Sequence, residues 1–446
     1  MKRHIANAVY GAFDYASFPL GMLLVAPIVL HKIGAAEYGL WMVSTAAISA
    51  GGIIASGFCD AGIQRIAQLR GAEKADMMVH TFRTMFAINL ALGCTLALLM
   101  WIASPYAARH LAVSQLLSPR ECLSCLRIAS VLILIRAIEA VSVSTQRAFE
   151  QYRGTVLIST AIRVLTLGSA AVLALLGRHT ESIMILTAVL LSAGTFLQFC
   201  HLRRYLIADA LWPGFHVQET RTLMHSGVFV WLQALGSVVF RQFDRILLGV
   251  SLGAAAVAPY SLCIQLAEPL FGLTASGLSF FFPYLSGRAN SLSKHALRRA
   301  VLKAFLCNLF LVVCGASLLL VFGSRFLQIW AGSAMAYNAK SILPLIVIGS
   351  ALSGLSVTGT YAVQALGQFR TVACITIGSR SALFLFMFYL LHHQGLHGLA
   401  LARVYYGGAA LLVYLPLIRQ LGLFRAAKSS VPSIPVATEI QEGAQL

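Results

Sequence analysis

Apolar residues fall in long blocks along this chain, and polar residues gather in the short stretches between them. Twelve blocks approach the roughly 20 residues that a helix needs to cross a hydrocarbon core. They lie at roughly 11–31, 40–58, 84–104, 128–146, 155–176, 183–201, 226–249, 257–284, 301–322, 341–363, 371–391 and 397–418. The first follows "MKRH", is longer than a signal-peptide core and lacks a small-residue cleavage site, so it reads as a retained helix. The pattern predicts an all-α polytopic membrane protein of about twelve transmembrane helices.

Composition agrees: 59% of the 446 residues are hydrophobic and 11% are charged, and mean hydropathy is +0.81. The net charge of +18 would point to nucleic acid in a soluble protein. Here it has another cause, because Lys and Arg collect on the cytoplasmic side of membrane proteins and no nucleic-acid partner is implied. Placing the N-terminus inside puts 20 basic residues on the inner side and 7 on the outer. That split predicts cytoplasmic N- and C-termini and an even number of crossings. The expected organisation is a six-helix bundle over 1–205, a cytoplasmic linker over 206–225, a second six-helix bundle over 226–423 and a disordered tail over 424–446.

Charges inside the spans carry the functional signal. Six Arg fall there, namely Arg136, Arg163, Arg241, Arg245, Arg380 and Arg403, with the acids Asp14, Glu139, Asp244 and Glu268. A charge near mid-membrane costs on the order of 3 kcal/mol even on lenient insertion scales, so such residues usually face a bundle interior or a wet cavity. Arg136 and Glu139 share a helix face, and Arg147 returns within about 20° of it, which makes a polar stripe. In "VFRQFDRILLG" Arg241 and Arg245 share a face, and Asp244 beside them is expected to neutralise one of the two. Structural ion pairing, or snorkelling from a shorter span, is the alternative for any single residue. For the set, six Arg against four acids predict a net cationic cavity suited to an anionic substrate.

The chain also repeats itself. "IGAAEYGLW" joins spans one and two, and "LGAAAVAPYSL" joins spans seven and eight; comparable basic loops, "QRIAQLRGAEKADM" and "SGRANSLSKHALRR", follow. The period of about 220 residues makes six helices per half, so both halves share an orientation and a transport site is expected between them.

"GAAEYGLW", "GFCDAGIQRIAQLRG", "FDRILLGVSLGAAAVAPYSL" and "FFFPYLSG" resemble the Wzx-type polysaccharide and O-antigen flippases. These belong to the multidrug, oligosaccharidyl-lipid and polysaccharide export superfamily. The resemblance covers the twelve-span layout over nearly the whole chain, and of the charged positions it aligns Asp244 and Arg245 alone. It implies two six-helix bundles in a V, a bacterial inner-membrane location and alternating access. The implied substrate is an undecaprenyl-pyrophosphate-linked oligosaccharide, moved from the cytoplasmic to the periplasmic leaflet. Membrane lipid, the polysaccharide polymerase and chain-length proteins are the partners that follow. The six Arg would bind substrate, and Asp14, Glu139, Asp244 and Glu268 are the ion-coupling candidates, each with a structural role as the alternative. Two drives fit: proton exchange at an acid, or membrane potential acting on bound charge at about 2.3 kcal/mol per charge per 100 mV.

Competing classes fit less well. There is no G-x-x-x-x-G-K-[ST], so ATP hydrolysis is not expected, and no cofactor or enzyme chemistry is indicated. A drug exporter of the MATE type would share the fold, but cationic drugs prefer an acidic cavity. The loop "DAGIQRIAQLRG" does not reproduce the Asp-Arg-x-Gly-Arg-Arg pattern of major facilitators. Cys122-x-x-Cys125 could form a disulfide on the outer side, and "HHQGLH" could attract a transition metal, although each reads more simply as structure. "GSALSGLSVTG" and "GGIIASG" allow close helix packing, and Pro19, Pro27, Pro269 and Pro283 are plausible kinks.

Overall fold

The computed structural model describes residues 2–71, 73–112, 117–149, 152–206, 211–238, 242–278, 281, 285, 293–366 and 368–421. Among the described residues every regular element is a helix. They are α1 (Lys2–Ala55), α2 (Cys59–Gly71), α3 (Ala75–Leu111), α4 (Pro119–Ala148), α5 (Tyr152–Leu175), α6 (Thr180–Leu202) and α7 (Val217–Val238). There follow α8 (Asp244–Leu252), α9 (Ala254–Gly277), α10 (Lys294–Ala331), α11 (Ser333–Ala339), α12 (Leu343–Ala365), α13 (Phe369–Ala410), a 3-10 turn (Leu411–Val413) and α14 (Tyr414–Leu421).

Among the described residues eight stretches are long and apolar enough to cross a membrane. Two of them contain a break: α1 at Gly34 (φ 88°, ψ 169°) and α13 at Gly395 (φ 57°, ψ −135°). Counting both arms of each, and adding the charge-bearing α4 and the stretch that holds α7 and α8, matches the twelve crossings expected. Polar connections expected near 32–39 and 392–396 are largely absent, because one glycine in a conformation closed to other residues turns the chain at once. The internal repeat has the same origin. Gly253, which opens the second copy of the Gly-Ala-Ala pattern between α8 and α9, adopts φ 86° and ψ 167°, nearly the angles of Gly34.

α7 begins at Val217, so the linker expected over 206–225 is helical from Val217 onward, nearly half its length. The tail over 424–446 lies outside the described residues. Prolines shape the first arm in a specific way. Pro27 has no N–H to give the Leu23 carbonyl, and Trp330 Nε1 donates to that oxygen instead at 2.7 Å, pinning α10 to α1.

In the first half α1 packs on α4 and α5, α3 on α4, and α6 on α4 and α5; in the second α12 packs on α9, α10 and α13. The halves meet along the second arm of α1 against α9, with α8 beside α1 and α3. The contact is closest at the Gly34 end. A Cβ on Gly39 would lie 1.7 Å from the Ala254 carbonyl oxygen, so only glycine permits this approach of two helices. At the other end, which carries α2 and most of the basic loops, the bundles are linked through α7.

Candidate functional site

Between the halves, toward the α2 end, lies a cavity of about 690 Å³. Its walls come from both bundles: Ser56, Cys59 and Ile63 after the second arm of α1, Ser144 and Arg147 on α4, Tyr361 and Gln364 on α12, and Thr376 and Arg380 on α13. Arg147 and Arg380 are its charged side chains, and no described lining residue is a carboxylate. Arg380 packs against the open face of Gly236 on α7, where a Cβ would sit 3.1 Å from its Nη1. The volume is within the roughly 300–1,000 Å³ range of small-molecule sites.

The remaining charged positions distribute differently from the expectation of one shared cationic surface. Arg136 donates to Glu139 at 2.7 Å, as their spacing predicts, with its side chain 43% exposed; neither lines the cavity. It is Arg147, at the end of the same polar stripe, that reaches it. Arg163 is half-buried on α5 and Arg245 half-buried on α8, both outside the cavity lining. Glu268 is exposed on α9. Arg241 and the side chain of Asp14 lie outside the described residues.

Asp244 requires a correction. Its partner is Arg403 on α13, 159 residues away, and the neighbouring Arg245 contributes only a backbone N–H to Oδ1 at 2.8 Å. Arg403 Nε donates to Asp244 Oδ2 at 2.9 Å and Nη2 donates to the same oxygen. Tyr260 of α9 donates to it as well at 2.7 Å, and Arg403 Nε reaches the Tyr260 hydroxyl at 3.0 Å. All three side chains are buried. Consecutive residues on a helix point about 100° apart, so Asp244 turns into the bundle while Arg245 turns aside. The result is a neutral, fully bonded ion pair binding three helices, which removes Arg403 from the set available to an anionic ligand.

Sequence reasoning missed what the GAAEYG motif does. Glu37 accepts from the Thr180 backbone N–H at 2.9 Å, at the N-terminus of α6, and from His179 Nδ1 at 2.9 Å. Tyr38, fully buried, accepts at its hydroxyl a hydrogen bond of 2.9 Å from Gln265 of the opposite half. With Gly39 against Ala254, Tyr38 and Gly39 join the halves at the Gly34 end, while Glu37 ties the turn to α6 of its own half. Glu37, His179 and Glu121 offer ligand atoms within 4.8 Å of one another, a grouping with no signature in the linear sequence. Cys122 and Cys125 are buried free thiols on α4.

At the α2 end a different set of residues joins the halves. Arg65 binds Glu219 through Nε at 3.1 Å and Nη2 at 2.8 Å, and Thr81 Oγ1 donates to the same carboxylate at 3.0 Å. Trp231 Nε1 donates to the Ile54 carbonyl at 2.9 Å, an oxygen near the break after α1. The His80 and His216 rings stack at 4.0 Å. Burial against this surface and the nearby positive charges of His80 and Arg83 push the His216 pKa below its ordinary value.

A family profile described as polysaccharide biosynthesis protein matches residues 33–339. The chain belongs to that family. A Shigella flexneri protein named as a candidate O-antigen transporter is 22% identical over 401 residues, covering 89% of this chain and 93% of the relative. Among solved structures, one described as the lipid II flippase MurJ in an inward closed conformation has a TM-score of 0.73 at 13% identity, covering 93% of this chain and 87% of that one. Another, described as an inward-facing multidrug resistance MATE-family transporter, has a TM-score of 0.69 at 15% identity, covering 93% and 100%. This polysaccharide biosynthesis protein thus shares the fold of that superfamily, as its motifs indicate.

Proposed function

We propose that the protein is a flippase that moves an undecaprenyl-pyrophosphate-linked oligosaccharide from the cytoplasmic to the periplasmic leaflet of the bacterial inner membrane by alternating access. The observation that carries this reading is the make-up of the inter-bundle cavity, whose lining includes an Arg from each half, Arg147 and Arg380. The family, and relatives named for O-antigen transport and lipid II flipping, support the substrate class.

The physics is that of head-group solvation. A pyrophosphate carries about two negative charges and cannot enter hydrocarbon unaided, whereas Arg side chains in a wet cavity replace its water with charge-assisted hydrogen bonds. The α2 end, which carries the basic loops, is taken as cytoplasmic and the Gly34 end as periplasmic. The structure is then closed outward and loads from the inside. A negative interior potential favours outward movement of the bound anion by about 2.3 kcal/mol per net charge per 100 mV.

Translocation of a fluorescent undecaprenyl-pyrophosphate oligosaccharide in proteoliposomes, with a cationic dye run in parallel, tests the reading. Glycolipid movement without dye movement is expected. Arg147→Ala and Arg380→Ala, present at normal levels, should each slow transport by roughly tenfold or more, since a hydrogen bond to a charged group is worth about 1.5–3 kcal/mol. Dye movement alone would instead assign the protein to the drug-exporting branch of the fold.

A further inference from the structure

A head group held in a wet cavity leaves the long tail with a problem. Every methylene drawn into water costs about 0.8 kcal/mol, so an isoprenoid tail must stay in hydrocarbon while its pyrophosphate sits inside the protein. A slot must therefore connect the cavity sideways to the membrane. One place in the described residues has the required geometry.

A second hollow, a groove of about 630 Å³, runs between the first arm of α13 and the segment that follows its second arm, the 3-10 turn and α14. Its polar mouth holds Gln368 and Arg419, and its depth is lined by Ile375, Leu412, Leu415 and Pro416. Leu412 and Leu415 are 49% and 53% exposed, which in a membrane protein means open to lipid. Ile375 also lines the central cavity, so the two spaces share this side chain. In the 3-10 turn across the seam the divide falls between consecutive residues, with Leu412 on the groove side and Val413 on the cavity side.

The backbone departs from regular α-helix at this seam. Helix geometry tightens to a 3-10 turn over Leu411–Val413, whose hydrogen bonds are poorer than those of an α-helix. Pro416 stands four residues after Leu412 and has no N–H to give the Leu412 carbonyl. The groove also has the polarity of an amphiphile. Gln368 and Arg419 sit near the end of the bundle at head-group level, and Ile375 is two helical turns, about 10 Å, deeper.

We propose that the seam formed by Ile375 and the 411–416 stretch is the lateral portal through which the isoprenoid tail of the substrate reaches the membrane. The tail lies along Leu412 and Leu415 while the pyrophosphate occupies the cavity. This rests on the flippase reading above and adds to it where the tail goes. Lipid is as apolar as the groove, so the groove contributes a path and close packing and little affinity.

Two measurements separate this claim from the reading it depends on. In the first, wild-type protein in proteoliposomes is photolabelled with an undecaprenyl-pyrophosphate oligosaccharide carrying a diazirine in its tail, and the labelled peptides are mapped. Adducts in the peptide holding Leu412 and Leu415 are expected; adducts confined to other helices, from a substrate that is transported, would overturn the portal and leave the flippase standing. In the second, Leu412→Trp and Leu415→Trp fill the groove. Transport of the full-length substrate should fall about tenfold, with less than about a twofold loss for the same oligosaccharide pyrophosphate on a ten-carbon tail. Equal losses for both tails would refute the portal. A wild-type protein that labels at the groove yet moves neither substrate would remove the flippase reading and keep the groove as an isoprenoid site.

Discussion

The two ends of the molecule are joined by opposite means. At the Gly34 end the bundles touch through backbone and small residues, with Gly39 against the Ala254 carbonyl and Gly249 against Val43 and Leu111. At the α2 end they are tied by a few long polar side chains, Arg65 to Glu219 and Trp231 to Ile54. Tight small-residue packing resists partial opening, because its contacts are lost together once the helices separate. Long side chains can follow a moving partner or let go singly. A transporter that rests closed at one end and loads at the other is served by this asymmetry.

Breaking the Asp244–Arg403 pair is expected to have the largest effect. Arg403→Leu leaves a buried carboxylate without its counter-charge, which costs about 3–5 kcal/mol, and thermal unfolding in detergent should show the loss. Adding Asp244→Asn should recover a large part of it, because the penalty belongs to the uncompensated charge. Recovery of nothing would mean that the pair acts through packing alone.

Next comes the seam at the Gly34 end. Gly39→Val forces a side chain into the Ala254 carbonyl, and overpacking of this kind costs about 1–3 kcal/mol. The closed state should lose population, read as faster labelling of a cysteine placed at Ala254. Unchanged labelling would mean that this contact does not hold the end shut.

Arg65→Ala tests the opposite end and should be milder, about 1.5 kcal/mol from the lost charge-assisted hydrogen bonds to Glu219. Crosslinking yield between cysteines on α2 and α7 should drop. If it matches wild type, the pair is incidental to the position of α7.

The smallest effect is a pH dependence. The His216 pKa is lowered in the folded protein, so the unfolded chain binds the proton more readily. Stability should therefore be full above the ordinary His value of about 6.5 and fall as pH drops through that region toward the folded value. In His216→Gln that part of the slope should vanish; a slope of equal size in the variant assigns it to other groups.

Much of this architecture was legible in the linear pattern. Length and apolarity of the runs located the crossings, and the repeated Gly-Ala-Ala motif marked two turns that share almost the same glycine conformation. Arg380, singled out as a charge amid apolar residues, lines the cavity between the halves. Arg147 was visible only as the end of a stripe, since its place near a span terminus made it look like a loop residue. The partner of Asp244 was not legible. Local spacing offered Arg241 and Arg245, and nothing in the sequence ranks those above an Arg 159 positions on that the fold swings into contact. The sequence likewise could not show that Tyr38 and Gly39 join the two halves or that Glu37 anchors α6, because each acts on a residue brought near by packing.

The single-residue turns at Gly34 and Gly395 bear on how the chain is made. Each joins two apolar arms with almost no intervening loop, so the arms can leave the ribosome and enter the bilayer as one preassembled hairpin. Little hydrophilic chain then has to be pulled across the membrane at these points. A proline or a bulky residue at either glycine would be felt during biogenesis, as a hairpin that fails to fold back and a second arm left stranded on the wrong side, before any defect in the finished protein could be measured.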